Sequence, residues 1–295
     1  MQKKKSEKST KPTKAIKKSA KIKNSTKTKT AKVVKKVAKT KNSEKENPES
    51  VWFGEKKVTP TKKTVLVEQV FSSVATHYDL MNDLMSLGMH RIWKNIFVSD
   101  IYAAMDSSAK KTEILDLAGG TADIAIRLYS KSRANITVCD INENMLEYGK
   151  AKVVNTGILS GINFVLGNAE KLPFKDKSFD CVVISFGIRN FTKIDTALSE
   201  IFRVLKPGGQ FFCLEFSSGV APQFKHFYDL YCDVALPFLG AHVAKDKQAY
   251  EYLAKSIQSF PNQQAFAKRI SKAGFSEVKW KNLFSGIVVE HYGRR

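Results

Sequence analysis

The first 50 residues contain no arginine, no aromatic residue and only four acids, Glu7, Glu44, Glu46 and Glu49, against 18 lysines. Such a stretch cannot bury enough apolar surface to offset its ordering entropy, and its lysines repel one another. Residues 1–50 are therefore expected to form a disordered tail, and residues 51–295 the folded domain. The tail lacks the arginine-rich amphipathic pattern of a mitochondrial transit peptide and the apolar core of a secretory signal. Without aromatics to stack on bases, specific nucleic-acid reading is not expected. No apolar run approaches the eighteen or so residues that span a bilayer. The four cysteines, Cys139, Cys181, Cys213 and Cys232, form no CxxC pair, and three lie in apolar, strand-like runs. Buried free thiols in a reducing compartment follow. His77, His90, His226, His242 and His291 show no metal-ligand spacing, so no metal is expected.

What is present divides unevenly. The tail carries +14 of the net +21, leaving +7 for the other 245 residues. Lysine runs bind phosphate as point charges, on anionic lipid or on nucleic acid. A solvated tail with no dedicated partner is the equal alternative.

From about residue 60 the composition becomes globular, beginning with apolar residues at helical spacing. Strands and helices then alternate: strands at 112–118, 135–141, 162–169, 178–187 and 209–218, with helices at 121–132, around "NENMLEYGKAKVVNTG" and at 194–205, the last stopped by "KPGG". Nearly continuous apolar strands alternating with helices predict a doubly wound parallel α/β sheet. "VKWKNLFSGIVVEHYG" reads as an antiparallel edge hairpin turning near Ser285 and Gly286.

Ligands of such sheets bind beyond the carboxyl ends of the strands. "DLAGGTAD" (116–123) brings Asp116, Gly119, Gly120 and Thr121 to the first strand end, where small residues let a ligand approach the backbone. It is neither a GxGxxG fingerprint nor a P-loop. Asp140 ends the second strand, where a carboxylate can accept both hydroxyls of a ribose. Asn168 and Ala169 end the third, suited to an adenine edge and to room for its ring. A nucleoside cofactor without phosphates fits this set, and S-adenosylmethionine is one.

The segments "VFSSVATHYDLMNDLMSLGMHRIWK", "LDLAGGTAD", "CDINENML", "GNAEKLPF", "SFDCVVISFGIRN", "RVLKPGGQFFCLEFS", "FYDLYCDVALPFLG" and "AYEYLAKSI" occur in an order that resembles the ubiquinone and menaquinone biosynthesis C-methyltransferases, over roughly residues 65–295. The resemblance implies a class I S-adenosylmethionine-dependent methyltransferase fold, Rossmann-like. It implies methylation of a ring carbon of demethylmenaquinol or of 2-methoxy-6-polyprenyl-1,4-benzoquinol. Thr121, Asp140, Asn168, Ala169 and Ser185 are the cofactor contacts it implies. Three positions depart from the family's pattern: Ala122 for glycine, Ala249 for serine and Gln258 for arginine. An alanine at 122 is tolerated there if its φ is negative, with its methyl crowding the cofactor.

A ring carbon attacks a sulfonium methyl only when its neighbouring hydroxyl ionises, so the quinol and not the quinone is the expected substrate. Arg189 and Asn190, after the strand "CVVISFGI", are the expected catalytic pair. The guanidinium would stabilise a phenolate, and the amide would hold the same oxygen or a water. Tyr78, Asp79 and Asn82 are candidates for a helical N-terminal lid over the cofactor, and Tyr228, Asp229 and Asp233 for the substrate side of an aromatic groove. Expected partners are the polyprenylated quinol and, through the tail, an anionic membrane surface; a homodimer is left open. The expected location is cytoplasmic, peripheral at the inner membrane face, with the mitochondrial matrix as alternative. Competing readings are a methyltransferase of another small phenol or of nucleic acid, and an inert domain behind a histone-like tail.

Overall fold

The structure, a computed structural model, describes residues 50–53, 56–74, 82–83, 86–105, 112–221, 223, 226, 230–231 and 247–295. Its centre is a seven-stranded sheet built from β3 (Glu113–Leu117), β4 (Asn135–Asp140), β5 (Ile162–Leu166), β6 (Phe179–Ser185), β7 (Leu205–Phe216), β8 (Ser276–Leu283) and β9 (Val288–Arg294). The spatial order is β5-β4-β3-β6-β7-β9-β8. The first five of these pair in parallel, and β9 then runs antiparallel between β7 and β8. The expected doubly wound sheet with an antiparallel edge hairpin is the observed one.

Side chains alternate across the sheet, as the two-residue period of a strand requires. In β6, Cys181 and Val183 join one core and Val182 and Ile184 the other. The first core is covered by α2 (His90–Ala104), α3 (Asp123–Ser132), α4 (Glu143–Asn155) and α6 (Lys247–Ser259). The second is covered by α5 (Ile194–Val204) and α7 (Gln263–Lys272). Burial on both faces explains why the strands read as unbroken apolar runs.

Two features differ from the sequence expectation. A two-stranded antiparallel ribbon, β1 (Val51–Phe53) with β2 (Lys56–Val58), precedes the point where composition turns globular. Its Phe53 ring stacks on Tyr252 at 4.5 Å. The helix α1 (Pro60–Val74) follows, with Thr59 accepting from the Lys62 N–H at 3.3 Å and proline at the first helical position. The segment "KPGG" does not separate α5 from its strand. β7 begins at Leu205, opposite Phe179, and pairing resumes at Cys181 with Gln210 across an irregularity. Gly208, at φ 78°, supplies the left-handed backbone this detour needs.

Cys139, Cys181 and Cys213 are buried free thiols, as expected. Burial pushes the Cys139 thiol up to about 12, which leaves it a packing group.

Candidate active site

The strand order reverses at β3, so a crevice opens where its carboxyl end meets those of β4 and β6. Two cavities occupy it, meeting at Ala118 and Met145.

The first holds about 810 Å³ of empty space, its open mouth included. Asp140, Asn168 and Ala169 line it together, as their places at successive strand ends require. Asp140 is fixed by the backbone: Oδ2 accepts from the Gly120 N–H and Oδ1 from the Asn142 N–H, each at 2.9 Å. Each oxygen keeps a lone pair for a hydroxyl. Burial pushes this carboxyl up to about 6, and the backbone donors of Asn142, Gly120 and Ile141 hold it from going further. Asn168 accepts from the Glu170 N–H at 2.8 Å, a local turn that sets the loop beside Ala169.

The cover of this cavity comes from α1. Thr64, Val67, Glu68 and Phe71 line it at a spacing of i, i+3, i+4 and i+7, one face of a helix. Asn142 ties that helix down. Its Oδ1 caps α4 by accepting from Met145 N–H at 3.1 Å, and its Nδ2 donates to the Glu68 carbonyl at 3.1 Å and the Ser72 hydroxyl at 2.9 Å. At the other end the Lys63 ammonium donates to the Phe191 carbonyl at 3.2 Å, and Thr64 meets Thr192 at 3.2 Å.

The second cavity brings together Asp116, Gly119, Gly120, Thr121 and Ser185 with Lys94 and Asp123. Asp116 is fully buried; Oδ2 accepts from Ala125 N–H at 3.1 Å, while Oδ1 has no partner. The Ser185 hydroxyl is likewise buried and unpartnered. Burial pushes the Asp116 carboxyl up to about 7, with Asp123 and Asp140 adding to the rise. Gly119 is required here because a Cβ would lie 2.6 Å from Asp116 Cγ. Gly149 of α4 is required because a Cβ would lie 2.4 Å from the Gly120 carbonyl oxygen, where helix and loop touch.

The condition set for Ala122 is not met. Its φ is +59°, in the left-handed region that costs an alanine on the order of 1 kcal/mol or more. Its methyl is wholly buried in the first core and lines neither cavity, so it strains the backbone without crowding a ligand.

Arg189 and Asn190 occupy a short helical turn, Ile188–Asn190, after β6, and they face different ways. Asn190 lines the first cavity, its carbonyl accepting from the Tyr252 hydroxyl at 3.0 Å. Arg189 lines neither cavity. Its guanidinium donates to Glu215 Oε1 at 2.8 Å, to the Phe186 carbonyl and to the Ser256 hydroxyl at 3.3 Å, and lies over the Phe216 ring. Glu215 also accepts from the backbone N–H groups of Phe216 and Arg189. Burial raises the Glu215 carboxyl, opposed by the guanidinium and those two donors. The expected positive charge facing a phenolate is replaced by a buried, internally compensated pair that fixes the turn.

Asn82 is buried and lines neither cavity. Tyr78, Asp79, Tyr228, Asp229 and Asp233 lie outside the described residues. Sequence reasoning missed Thr64, Val67, Glu68 and Phe71, whose helical spacing was the available signal. It also missed Asn142, a visible helix cap. Lys94, Glu215 and Tyr252 lie inside the quoted segments, but no local pattern gave them a role.

Acceptors for two ribose hydroxyls, an amide beside a small residue at the third strand end, and two unpartnered polar atoms beyond the glycine loop fit S-adenosylmethionine. The ubiE/COQ5 methyltransferase family matches residues 56–295. Among relatives, the ubiquinone/menaquinone biosynthesis C-methyltransferase UbiE of Bartonella tribocorum is 49% identical over 243 residues, 82% of this chain and 92% of its own. UbiE of Rickettsia akari is 47% identical over 246 residues, 82% of this chain and 97% of its own. Solved structures share the fold at low identity. The [4+2]-cyclase SpnF superposes with a TM-score of 0.56 at 15% identity, over 78% of this chain and 94% of its own. An S-adenosylmethionine-dependent methyltransferase of Thermotoga maritima does so with 0.51 at 17% identity, over 77% and 98%. The chain belongs to the ubiE/COQ5 methyltransferase family, enzymes that use S-adenosylmethionine for the carbon methylation of ubiquinone and menaquinone biosynthesis.

Proposed function

We propose that the acceptor is a ring carbon of a polyprenylated quinol, demethylmenaquinol or 2-methoxy-6-polyprenyl-1,4-benzoquinol or both, and that Asn190 is the side chain that holds its reacting oxygen. The observation that carries this is the bond from Tyr252 to the Asn190 carbonyl, which leaves the amide N–H₂ as the donor available at the first cavity. S-adenosylmethionine, when bound, supplies a sulfonium methyl open to in-line displacement. Asp116, Gly119, Gly120, Thr121, Asp140, Asn168, Ala169 and Ser185 hold it. The protein has to align the ring carbon, exclude water and favour the phenolate.

The quinol hydroxyl loses its proton to water, and the Asn190 N–H donates to the oxygen as charge develops on it. The ring carbon would then take the methyl as the S–C bond breaks and S-adenosylhomocysteine leaves. The carbon's own proton would pass to water as the ring regains aromaticity, and the oxygen would take a proton back. Arg189 acts through position: with its charge committed to Glu215, it keeps the turn that presents Asn190.

The test is methyl transfer from labelled S-adenosylmethionine to short-prenyl quinols kept reduced, with the oxidised quinones alongside. Wild type is expected to methylate carbon of the quinols only. Asn190→Ala should lose about 100-fold or more in kcat, the usual effect of removing one oxyanion donor, with cofactor affinity kept. Equal activity in the variant would remove Asn190 from the mechanism. Absence of transfer to either quinol would move the reading to another acceptor.

Among the described residues no helix is long and apolar enough to cross a membrane. A prenyl chain lies in the bilayer, which supports work at a membrane surface, at the inner membrane face from the cytoplasm or, as the alternative, from the mitochondrial matrix. The lysines of residues 1–50 supply attraction to anionic lipid, about 1 kcal/mol for each lysine near the surface. Full-length and tail-deleted chains should differ in binding anionic vesicles at low salt; equal binding would remove the tail from this role.

A further inference from the structure

The second cavity holds a cation, the last residue of "VFSSVATHYDLMNDLMSLGMHRIWK", to which the sequence reading gave no role. Lys94, on the first turns of α2, is only 4% exposed, and it lines the cavity beside Gly119, Gly120, Thr121 and Ser185. A buried ammonium is costly unless it is paired, and Lys94 does have a partner: Nζ donates to Asp123 Oδ2 at 2.9 Å. An ammonium has three N–H groups, so one bond to Asp123 leaves donors over.

Asp123 also meets two further cations. Its other oxygen faces Arg127 Nε at 3.2 Å and Lys152 Nζ at 3.9 Å. Against its burial, Lys94 first and then Arg127 and Lys152 hold the Asp123 carboxyl well below the usual range. Lys94 and Arg127 both bond that one carboxylate and outnumber it by one positive charge. The same cavity contains two buried acceptors without partners, Asp116 Oδ1 and Ser185 Oγ. An excess cation and orphaned acceptors in one small space are the complement of a zwitterion, with a carboxylate for the first and an ammonium for the second.

We propose that Lys94 is a cofactor-binding residue that receives the α-carboxylate of the amino-acid part of S-adenosylmethionine, with Asp123 holding its ammonium in place. This rests on the cofactor assignment made above and extends it to a residue from a helix outside the glycine loop. Nothing covalent is involved. The carboxylate replaces water on the spare Lys94 donors, and the amino group satisfies the Asp116 and Ser185 oxygens.

The test is binding rather than turnover. Calorimetric titration of the full chain with S-adenosylmethionine and with its decarboxylated analogue isolates the carboxylate. Wild type is expected to prefer the carboxylated ligand by roughly 10- to 100-fold, the range for a hydrogen bond to a charged group. Lys94→Met and Lys94→Gln should each narrow that preference to about twofold by weakening the first ligand alone, and Lys94→Arg should keep most of it. The two neutral variants differ in polarity, and Asp123 keeps Arg127 and Lys152 in both, so at least one is expected to fold with a near-native melting temperature. Preference retained in a folded neutral variant would overturn the role of Lys94, as would a wild type that binds both ligands equally. A wild type that binds neither would overturn the cofactor assignment and this inference together.

Discussion

The two cavities meet at Ala118 and Met145, yet they are built on opposite plans. In the first, the acid is satisfied: both oxygens of Asp140 already accept backbone N–H groups. Its cover, α1, is tied down at both ends by Asn142 and Lys63. In the second, the acid keeps an orphaned oxygen, a serine hydroxyl has no partner, and the adjoining loop carries left-handed alanines at 118 and 122. A satisfied wall can exist without its ligand at little cost. An unsatisfied one leaves polar atoms that a polar ligand can satisfy. Binding free energy is therefore concentrated on the second side, and alignment on the first.

Gly119→Val should break the contrast most completely. Its side chain has to pass Asp116 Cγ at 2.6 Å, so the loop between the cavities must move. Cofactor affinity is expected to fall roughly 100-fold, the upper end of overpacking costs, read by calorimetry with circular dichroism kept near native. Unchanged affinity would mean the loop does not set the approach.

Asp116→Asn sharpens it next. The folded chain holds a proton on this carboxyl up to about pH 7, whereas the unfolded chain releases it near the ordinary carboxylate value. That contribution to stability is present at acid pH and is lost as pH rises through about 7. The amide carries no such loss, so the variant should be more stable than wild type at pH 8 and lose this advantage toward pH 4, while binding S-adenosylmethionine about tenfold less well. Denaturant melts at both pH values and one titration check this. A variant less stable at pH 8 would show that the burial is not costly.

Asn142→Ala removes a helix cap and both ties to α1, with an expected stability cost of about 1 kcal/mol. Amide exchange should quicken along residues 64–72 of α1 and leave the second cavity's loop unchanged. Uniform exchange would mean α1 is held by packing alone. Ala122→Gly is the mildest. Relief of the left-handed backbone should add about 1 kcal/mol and raise the melting temperature by about 2–4 °C without changing affinity. A drop in stability would show that the buried methyl outweighs the strain.

The sheet, its direction and its edge hairpin were legible because each strand is a short apolar run whose character is local. The same holds for Asp140, Asn168 and Ala169, which fall where strands end. The pieces that were not legible arrive from a distance. Lys94 meets Asp123 across 29 residues, and Tyr252 meets Asn190 across 62, with no local pattern to announce either. Arg189 shows the limit from the other side. Its place after β6 was readable, but its direction depended on Glu215, 26 residues further along the chain. Ala122 gave no sign of a positive φ because nothing in an alanine demands one.

The placement of β9 bears on how the chain is made. It follows every other strand in chain order, yet it lies inside the sheet, flanked by β7 and β8. During synthesis β7 is finished long before its outer neighbour exists, and β8 emerges with no strand to join. The emerging chain thus carries an open sheet edge along Gln210–Phe216, a segment that is almost entirely buried in the final fold. Such an edge invites pairing with other nascent chains. Closing it needs contacts about 80 residues apart, a slow step for which loop closure comes before any gain. The parallel half of the domain can consolidate on the ribosome, whereas the edge can close only after β9 has emerged, which makes the interval between the two the time when this chain most needs a chaperone.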